Sequence, residues 1–416
     1  MSTMKFLAYI FLFFWRFVLF PVYFLSGFCP RRRDLWVFGS WGGYRFADNS
    51  AAFFLYCQEK IGERVKLVWI SRDRSIVQTL RRHGNHAYWI WSPGGMLACL
   101  RADVHLFDCF AKDTNFWLSR GAKKINLWSG VPLKVFERDI DNPKNRYYRL
   151  FHGSLPERWL LGMMMPWHLD KPDLIIATSA ENASITRRAF GLSEDRVIVT
   201  GFPRNDVLLD NRKSITAICA ALPESFVNAA KTDRKIFLYL PTFRDTGKEY
   251  MKIDWEQMDR LMSKVGAKLF FKKHPVDRLK INVSLSNVIQ LPQSIDIYNA
   301  LPDVDVLISD YSSVLFDYML LGRPIIYYMP DLENFRAENR SLLFQPEEIA
   351  VGPICSSFEE LLQAMEQAAI QQPDVNSKQR DQTIKRLFTY VDSHSSKRVL
   401  SKIDKRYYAG DLLGSQ

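Results

Sequence analysis

Leu307 to Tyr328, LISDYSSVLFDYMLLGRPIIYY, decides the fold because it reads as strand, polar turn, helix and strand in one short run. Val306 to Ile308 is apolar, Ser309-Asp310-Tyr311-Ser312-Ser313 supplies hydroxyls and an N-cap, and Val314 to Leu321 predicts a helix closed by Gly322 and Pro324. Free amides at a helix N-terminus, the positive end of its dipole and the Ser312 and Ser313 hydroxyls together suit a phosphate. An ordinary capped βα unit carries the same pattern, so the neighbouring segments must decide.

Upstream, YLPTFRD (Tyr239 to Asp245) ends an apolar strand in a polar turn, and FFKKHP (Phe270 to Pro275) ends another in two lysines and a histidine. In an open α/β sheet the ligand crevice lies outside the carboxyl ends of the strands. Thr242, Arg244, Lys272, Lys273 and His274 therefore converge with Ser309, Asp310, Ser312 and Ser313 on a candidate anion site. Arg244 beside Thr242 fits a phosphate fork, with a surface ion pair as the plain alternative. His274 precedes Pro275, which disfavours helix there, and an exposed loop histidine is its plain alternative.

The alternation extends along the chain. Strand-like runs at Leu35 to Phe38, Lys66 to Ile70, Ala87 to Ile90, Val104 to Phe107, Lys124 to Trp128, Leu174 to Thr178 and Val197 to Thr200 are separated by helix-compatible segments. A second series runs Lys235 to Leu240, Lys268 to Lys272, Val288 to Gln290, Val306 to Ile308 and Pro324 to Tyr328. This predicts an α/β protein with two Rossmann-like parallel-sheet domains, at 34–210 and 233–375, joined by a linker and helix at 211–232 and followed by a charged helical segment at 376–416. Asp48-Asn49 reads as a ligand group or as an N-cap for a helix from Ser50 to Lys60. Arg204 and Asn205, in GFPRND (Gly201 to Asp206), read as donor-site residues at the domain junction or as a plain strand terminus.

Residues 1–33 form a membrane-associated hydrophobic segment, with Phe6 to Cys29 nearly all apolar or aromatic, broken by Arg16 and Pro21 and followed by Arg31-Arg32-Arg33. The run is long enough to reach across a bilayer, yet a spanning helix would hold Arg16 near mid-membrane at about 2.5–3.5 kcal/mol. An interfacial helix avoids much of that cost and is preferred. The arginine triplet places the following domain on the cytoplasmic face of the cell membrane. A formal net charge of +11 then reads as attraction to anionic lipid and to a polyanionic acceptor. Nucleic acid is disfavoured, since the basic residues are dispersed and no recognised module is present. Six cysteines lack any C-x-x-C pair and seven histidines lack ligand spacing, so no structural metal is expected. A divalent ion shared with a donor pyrophosphate stays open as an alternative, with Asp310, Asp317 and Asp331 near the candidate site.

Together with FGSWGGYRFADNSAAFFLY (Phe38 to Tyr56), LWSGVPLK (Leu127 to Lys134) and DSHSSKRV (Asp392 to Val399), these segments resemble the CDP-glycerol glycerophosphotransferase family over most of the chain. The resemblance implies a glycosyltransferase-B-like fold with the nucleotide in the C-terminal half. It also implies transfer of an alditol phosphate from CDP-glycerol or CDP-ribitol to a lipid-linked saccharide or growing polymer, with release of CMP. His274 would face the pyrophosphate and protonate the leaving group. In the family's W-H-G-T-P-L-K pattern this chain has Ser129 in place of the histidine, a candidate general base. Ser129 could orient the acceptor hydroxyl, and His152 or Asp48 could supply the base. A nucleotide-sugar glycosyltransferase on the same fold and a non-catalytic membrane partner are the competing readings.

Overall fold

Runs of Val, Ile, Leu and Phe without alternation suit strands covered on both faces, and here they form two fully parallel sheets. The computed structural model describes residues 3–210, 222–242, 253–272, 285–338, 341–370 and 377–413. Arg244, Lys273 and His274 lie outside the described residues.

In the first unit, β1 (Arg32–Gly39), β2 (Lys66–Ser71), β3 (Ala87–Trp89), β4 (Ala102–Phe107), β5 (Lys123–Asn126), β6 (Leu174–Ala177) and β7 (Val197–Val199) pair in the order β3-β2-β1-β4-β5-β6-β7. In the second, β8 (Ile236–Leu240), β9 (Lys268–Phe271), β10 (Val288–Gln290), β11 (Val306–Ser309), β12 (Ile325–Tyr328) and β13 (Ile354–Cys355) pair as β10-β9-β8-β11-β12-β13. Both orders reverse beside their first strand, between β1 and β4 and between β8 and β11. Each reversal is a topological switch point, where the strand ends open a crevice. Leu35, Val37, Val68 and Ile70 lie in the first core, and Phe237, Leu269, Ile308, Ile326 and Met365 in the second.

The first unit comprises Met1–Ser129, Glu137–Val207 and Asp392–Gln416, and the second comprises Gly130–Phe136 and Leu208–Val391. The LWSGVPLK stretch is thus divided between them. Its second part is sewn into the second unit by an antiparallel bridge of Lys134 to Leu342, with the Val135 amide donating to the Ser341 carbonyl at 2.9 Å. The C-terminal helix Ser395–Tyr407 is held in the first unit by the Asp206 carboxylate, which accepts the amides of Ser395 and Ser396 at 2.8 and 2.7 Å. Beyond it, the Tyr408 hydroxyl accepts from Trp36 Nε1 at 2.9 Å and donates to Asp103 at 2.5 Å.

The N-terminal helix Thr3–Ser26 includes Pro21. Leu19, Phe20 and Tyr23 pack against Phe107, Ala111, Phe116 and Trp117 of the first unit. Trp15, Phe17, Val18, Phe24 and Leu25 are exposed. Among the described residues no helix is long and apolar enough to cross a membrane.

Candidate active site

At the second unit's switch point the ends of β8 and β11 are tied together by the residues that follow them. Ser309 Oγ donates to the Leu240 carbonyl at 2.7 Å. The Asp310 carboxylate accepts the Thr242 amide at 3.0 and 3.1 Å, the Thr242 hydroxyl, and the Tyr311 amide at 2.6 Å. Ser309 and Asp310 are fully buried, so they act as the joinery that fixes Thr242. Thr242, Ser312 and Ser313 are half-buried at that edge. The helix they introduce runs Val314–Met319, shorter than the expected span to Leu321. Lys272 closes β9, its amide donating to the Tyr239 carbonyl at 3.1 Å and its ammonium turning to the Ile295 carbonyl.

Tyr311 stacks on Phe335 with ring centroids 3.7 Å apart, and Lys134 Nζ stands 5.1 Å from the Phe335 ring centre. Strand-end reasoning had not singled out this stack, because Phe335 reaches it from a separate helix. The carboxylates considered for a divalent ion engage separate partners: Asp317 takes the Tyr298 hydroxyl at 2.6 Å and Asp331 the Tyr311 hydroxyl at 3.2 Å. Among the described residues no group of three metal-ligating side chains gathers.

The first unit's switch point is equally polar. Asp48 heads the helix Asp48–Ile61 with a left-handed φ of 65° rather than capping it from outside. Its carboxylate accepts from Arg204 Nη1 at 2.7 Å, Trp41 Nε1 at 3.0 Å and the Asn49 amide at 2.8 Å. Arg204 also donates to the Ser129 carbonyl at 2.7 Å, and Asn49 Nδ2 to the Leu127 and Trp128 carbonyls at 3.1 and 2.7 Å. Arg204 and Asn205 therefore belong to the first unit, in the helix Pro203–Asp210. There the Arg204 guanidinium serves a buried ion pair that fixes the backbone around Ser129.

Asp108, directly after β4, accepts the Ser50 amide and hydroxyl at 2.7 and 2.8 Å. Burial and the neighbouring Asp48 charge push its carboxyl well above the usual carboxylate range. Asp113 is likewise raised by burial and accepts the Gly42 and Cys109 amides, both at 2.8 Å. Neither was singled out from sequence, although the strand-end rule applied to β4 would have found Asp108.

The base candidates differ in setting. His152 is exposed and its Nε2 donates to the Arg138 carbonyl at 2.7 Å. Asp48 has both oxygens engaged. His168, not foreseen, has a side chain only 4% exposed, with Nδ1 3.0 Å from the Glu137 carboxylate and its ring centroid 4.1 Å from that of Phe110. That pairing orients the imidazole.

Residues 22–405 match the family described as CDP-glycerol:poly(glycerophosphate) glycerophosphotransferase. The chain belongs to that family. The chain is 26% identical over 414 residues to a teichoic acid poly(glycerol phosphate) polymerase of Bacillus spizizenii, covering 92% of this chain and 95% of the relative. It is 27% identical over 405 residues to a teichoic acid ribitol-phosphate primase of the same organism, with 93% and 95% covered. Its fold matches the wall teichoic acid polymerase TagF with a TM-score of 0.69 at 21% identity, covering 92% of this chain and 90% of that one. Family membership makes the protein an enzyme of the CDP-alditol phosphotransferase type.

Proposed function

We propose that the protein transfers glycerol phosphate, or a related alditol phosphate, from its CDP-activated form to a hydroxyl of a lipid-linked glycan or poly(alditol phosphate). The observation that carries this reading is the gathering of Thr242, Ser312 and Ser313 at the switch point of the second sheet in a chain of this family. The acceptor oxygen attacks the donor's β-phosphorus in line. The new bond joins that oxygen to phosphorus, the bond to the bridging oxygen breaks, and CMP departs with the bridging oxygen. A basic side chain takes the acceptor's proton. Phosphoryl transfer of this kind depends chiefly on alignment and charge stabilisation. Ser312 and Ser313 line the pyrophosphate position, Arg244 and His274 supply the charge that their strand-end places in the sequence assign to them, and Ser129 orients the acceptor.

The enzyme works at a membrane surface, lying on it through the exposed side chains between Trp15 and Leu25 rather than crossing it. Phe17, Val18 and Leu25 are 59%, 62% and 65% exposed, too much apolar surface for a helix left facing water. The nearby Arg120 guanidinium, 4.2 Å from the Phe24 ring centre, suits an anionic headgroup. Of the arginine triplet, Arg31 is spent on the carbonyls of Cys99, Leu118 and Ser26, while Arg32 pairs with Asp34. The charge for lipid contact therefore comes from other residues than Arg31.

Incubation with CDP-glycerol, CDP-ribitol and UDP-sugars, with an acceptor membrane fraction, tests the reading. CMP release from a CDP-alditol alone is expected. UDP release would overturn it in favour of a glycosyltransferase.

A further inference from the structure

In the first unit one imidazole combines a fixed orientation with a ring nitrogen that does no structural work. His168 Nδ1 lies 3.1 and 3.0 Å from the two oxygens of Glu137, so the carboxylate accepts the Nδ1 proton and Nε2 keeps a lone pair. Among the described residues no group donates to that lone pair. The imidazole is enclosed yet not sealed, its side chain 4% exposed and that of Glu137 8%. An enclosed polar atom without a protein partner calls for a water or a ligand.

Several contacts hold the ring in one place. Its centroid lies 4.1 Å from that of Phe110 and 5.0 Å from that of Tyr147, and the His168 amide donates to the Met165 carbonyl at 3.1 Å. Glu137 meets it from a left-handed φ of 50°, a backbone that persists only where the surroundings impose it. Phe110 is the third residue beyond β4, and the carbonyl of Cys109 before it accepts from Asn126 Nδ2, at the end of β5, at 3.0 Å. Asn126 Oδ1 in turn accepts the amide of Trp128, the neighbour of Ser129, at 2.8 Å. A short run of direct contacts thus joins His168 to the strand end that carries Ser129.

The other bases within the first unit are occupied or unsuited. Asp48 has both oxygens engaged, His152 gives Nε2 to the Arg138 carbonyl, and His105 has both nitrogens taken, by Thr114 Oγ1 and the Cys99 carbonyl at 2.9 Å each. A serine hydroxyl is not basic near neutral pH, so Ser129 cannot remove a proton unaided.

We infer that His168 is the general base of this enzyme, with Glu137 as its positioning residue. The inference rests on the transferase reading and names the side chain that its proton transfer needs. The acceptor's hydroxyl proton passes to His168 Nε2 as the oxygen's electron pair forms the bond to phosphorus. The bridging oxygen leaves with CMP, and the imidazolium, held beside the Glu137 carboxylate, then yields its proton to water.

The full-length protein is assayed for CMP release from CDP-glycerol with an acceptor membrane fraction. His168→Ala should lower kcat about a hundredfold or more while CMP affinity, read by calorimetry, stays within about twofold. His168→Asn, which keeps an N–H toward Glu137 and lacks a basic nitrogen, should lose as much at an unchanged urea midpoint. Added imidazole should restore part of kcat in His168→Ala and none in His168→Asn, where the space is filled. Glu137→Gln should lower kcat about tenfold or more at an unchanged acceptor KM. Wild-type kcat in His168→Asn overturns the inference and leaves the transferase reading standing. So does a loss in His168→Ala that imidazole does not restore, accompanied by a lowered urea midpoint in both His168 variants, which marks a structural ion pair. Absence of CMP release by the wild-type protein from every CDP-alditol overturns the transferase reading instead.

Discussion

Arg204→Met should destabilise the first unit severely while leaving nucleotide binding in the folded fraction intact. The Arg204–Asp48 pair is 2.7 Å long, with the two side chains 3% and 6% exposed. Removing the guanidinium strands a carboxylate away from water, a loss of about 3–5 kcal/mol for a broken buried pair. At about 1.4 kcal/mol per tenfold, the folding constant falls by roughly two to four orders of magnitude. Urea unfolding followed by tryptophan fluorescence measures the loss, and calorimetric CMP titration measures binding. Asp48→Asn in the Arg204→Met background should recover part of the loss, because it removes the stranded charge, and a double-mutant cycle reads that coupling. If Arg204→Met unfolds at the wild-type urea concentration yet no longer binds CMP, Arg204 is a ligand group and the ion-pair argument is refuted.

Asp310→Ala removes the acceptor that holds the Thr242 amide and hydroxyl, and should weaken CMP binding about tenfold or more, measured by titration, with Ser312→Ala having a smaller effect. Asp108 holds its proton above the ordinary carboxylate range, so the folded state binds a proton that the unfolded state releases. Wild-type stability should therefore fall as pH rises from about 4 through that raised value, at up to about 1.4 kcal/mol per unit. Asp108→Asn should flatten this slope in urea midpoints, and an unchanged slope would assign it elsewhere. Phe17→Glu with Leu25→Glu should lower sedimentation with anionic vesicles while CMP affinity stays constant; equal sedimentation would remove the helix from the lipid contact.

Most strands were legible because a strand covered on both faces writes its burial as a contiguous apolar run. Val306 to Ile308 was predicted and Val306–Ser309 is found. The two-residue β13 was not legible, since Ile354–Cys355 is too short to carry a period. In the second unit the strand-end rule brought Thr242, Ser309, Asp310 and Ser312 to one edge, but it could not distinguish joinery from ligand groups. That distinction depends on which hydroxyl meets which carboxylate. Arg204 and Asp48 are far apart in sequence, so nothing local told of their pairing. For the same reason the passage of Gly130–Phe136 into the second unit was hidden, because it rests on pairing with Leu342.

Mass analysis of the product formed from CDP-glycerol and membranes bearing lipid-linked saccharide tests the central claim most directly. The expected acceptor gains one or more glycerol phosphate units, with one CMP released per unit added. A product enlarged by a sugar, or CMP release with no gain in acceptor mass, would contradict it.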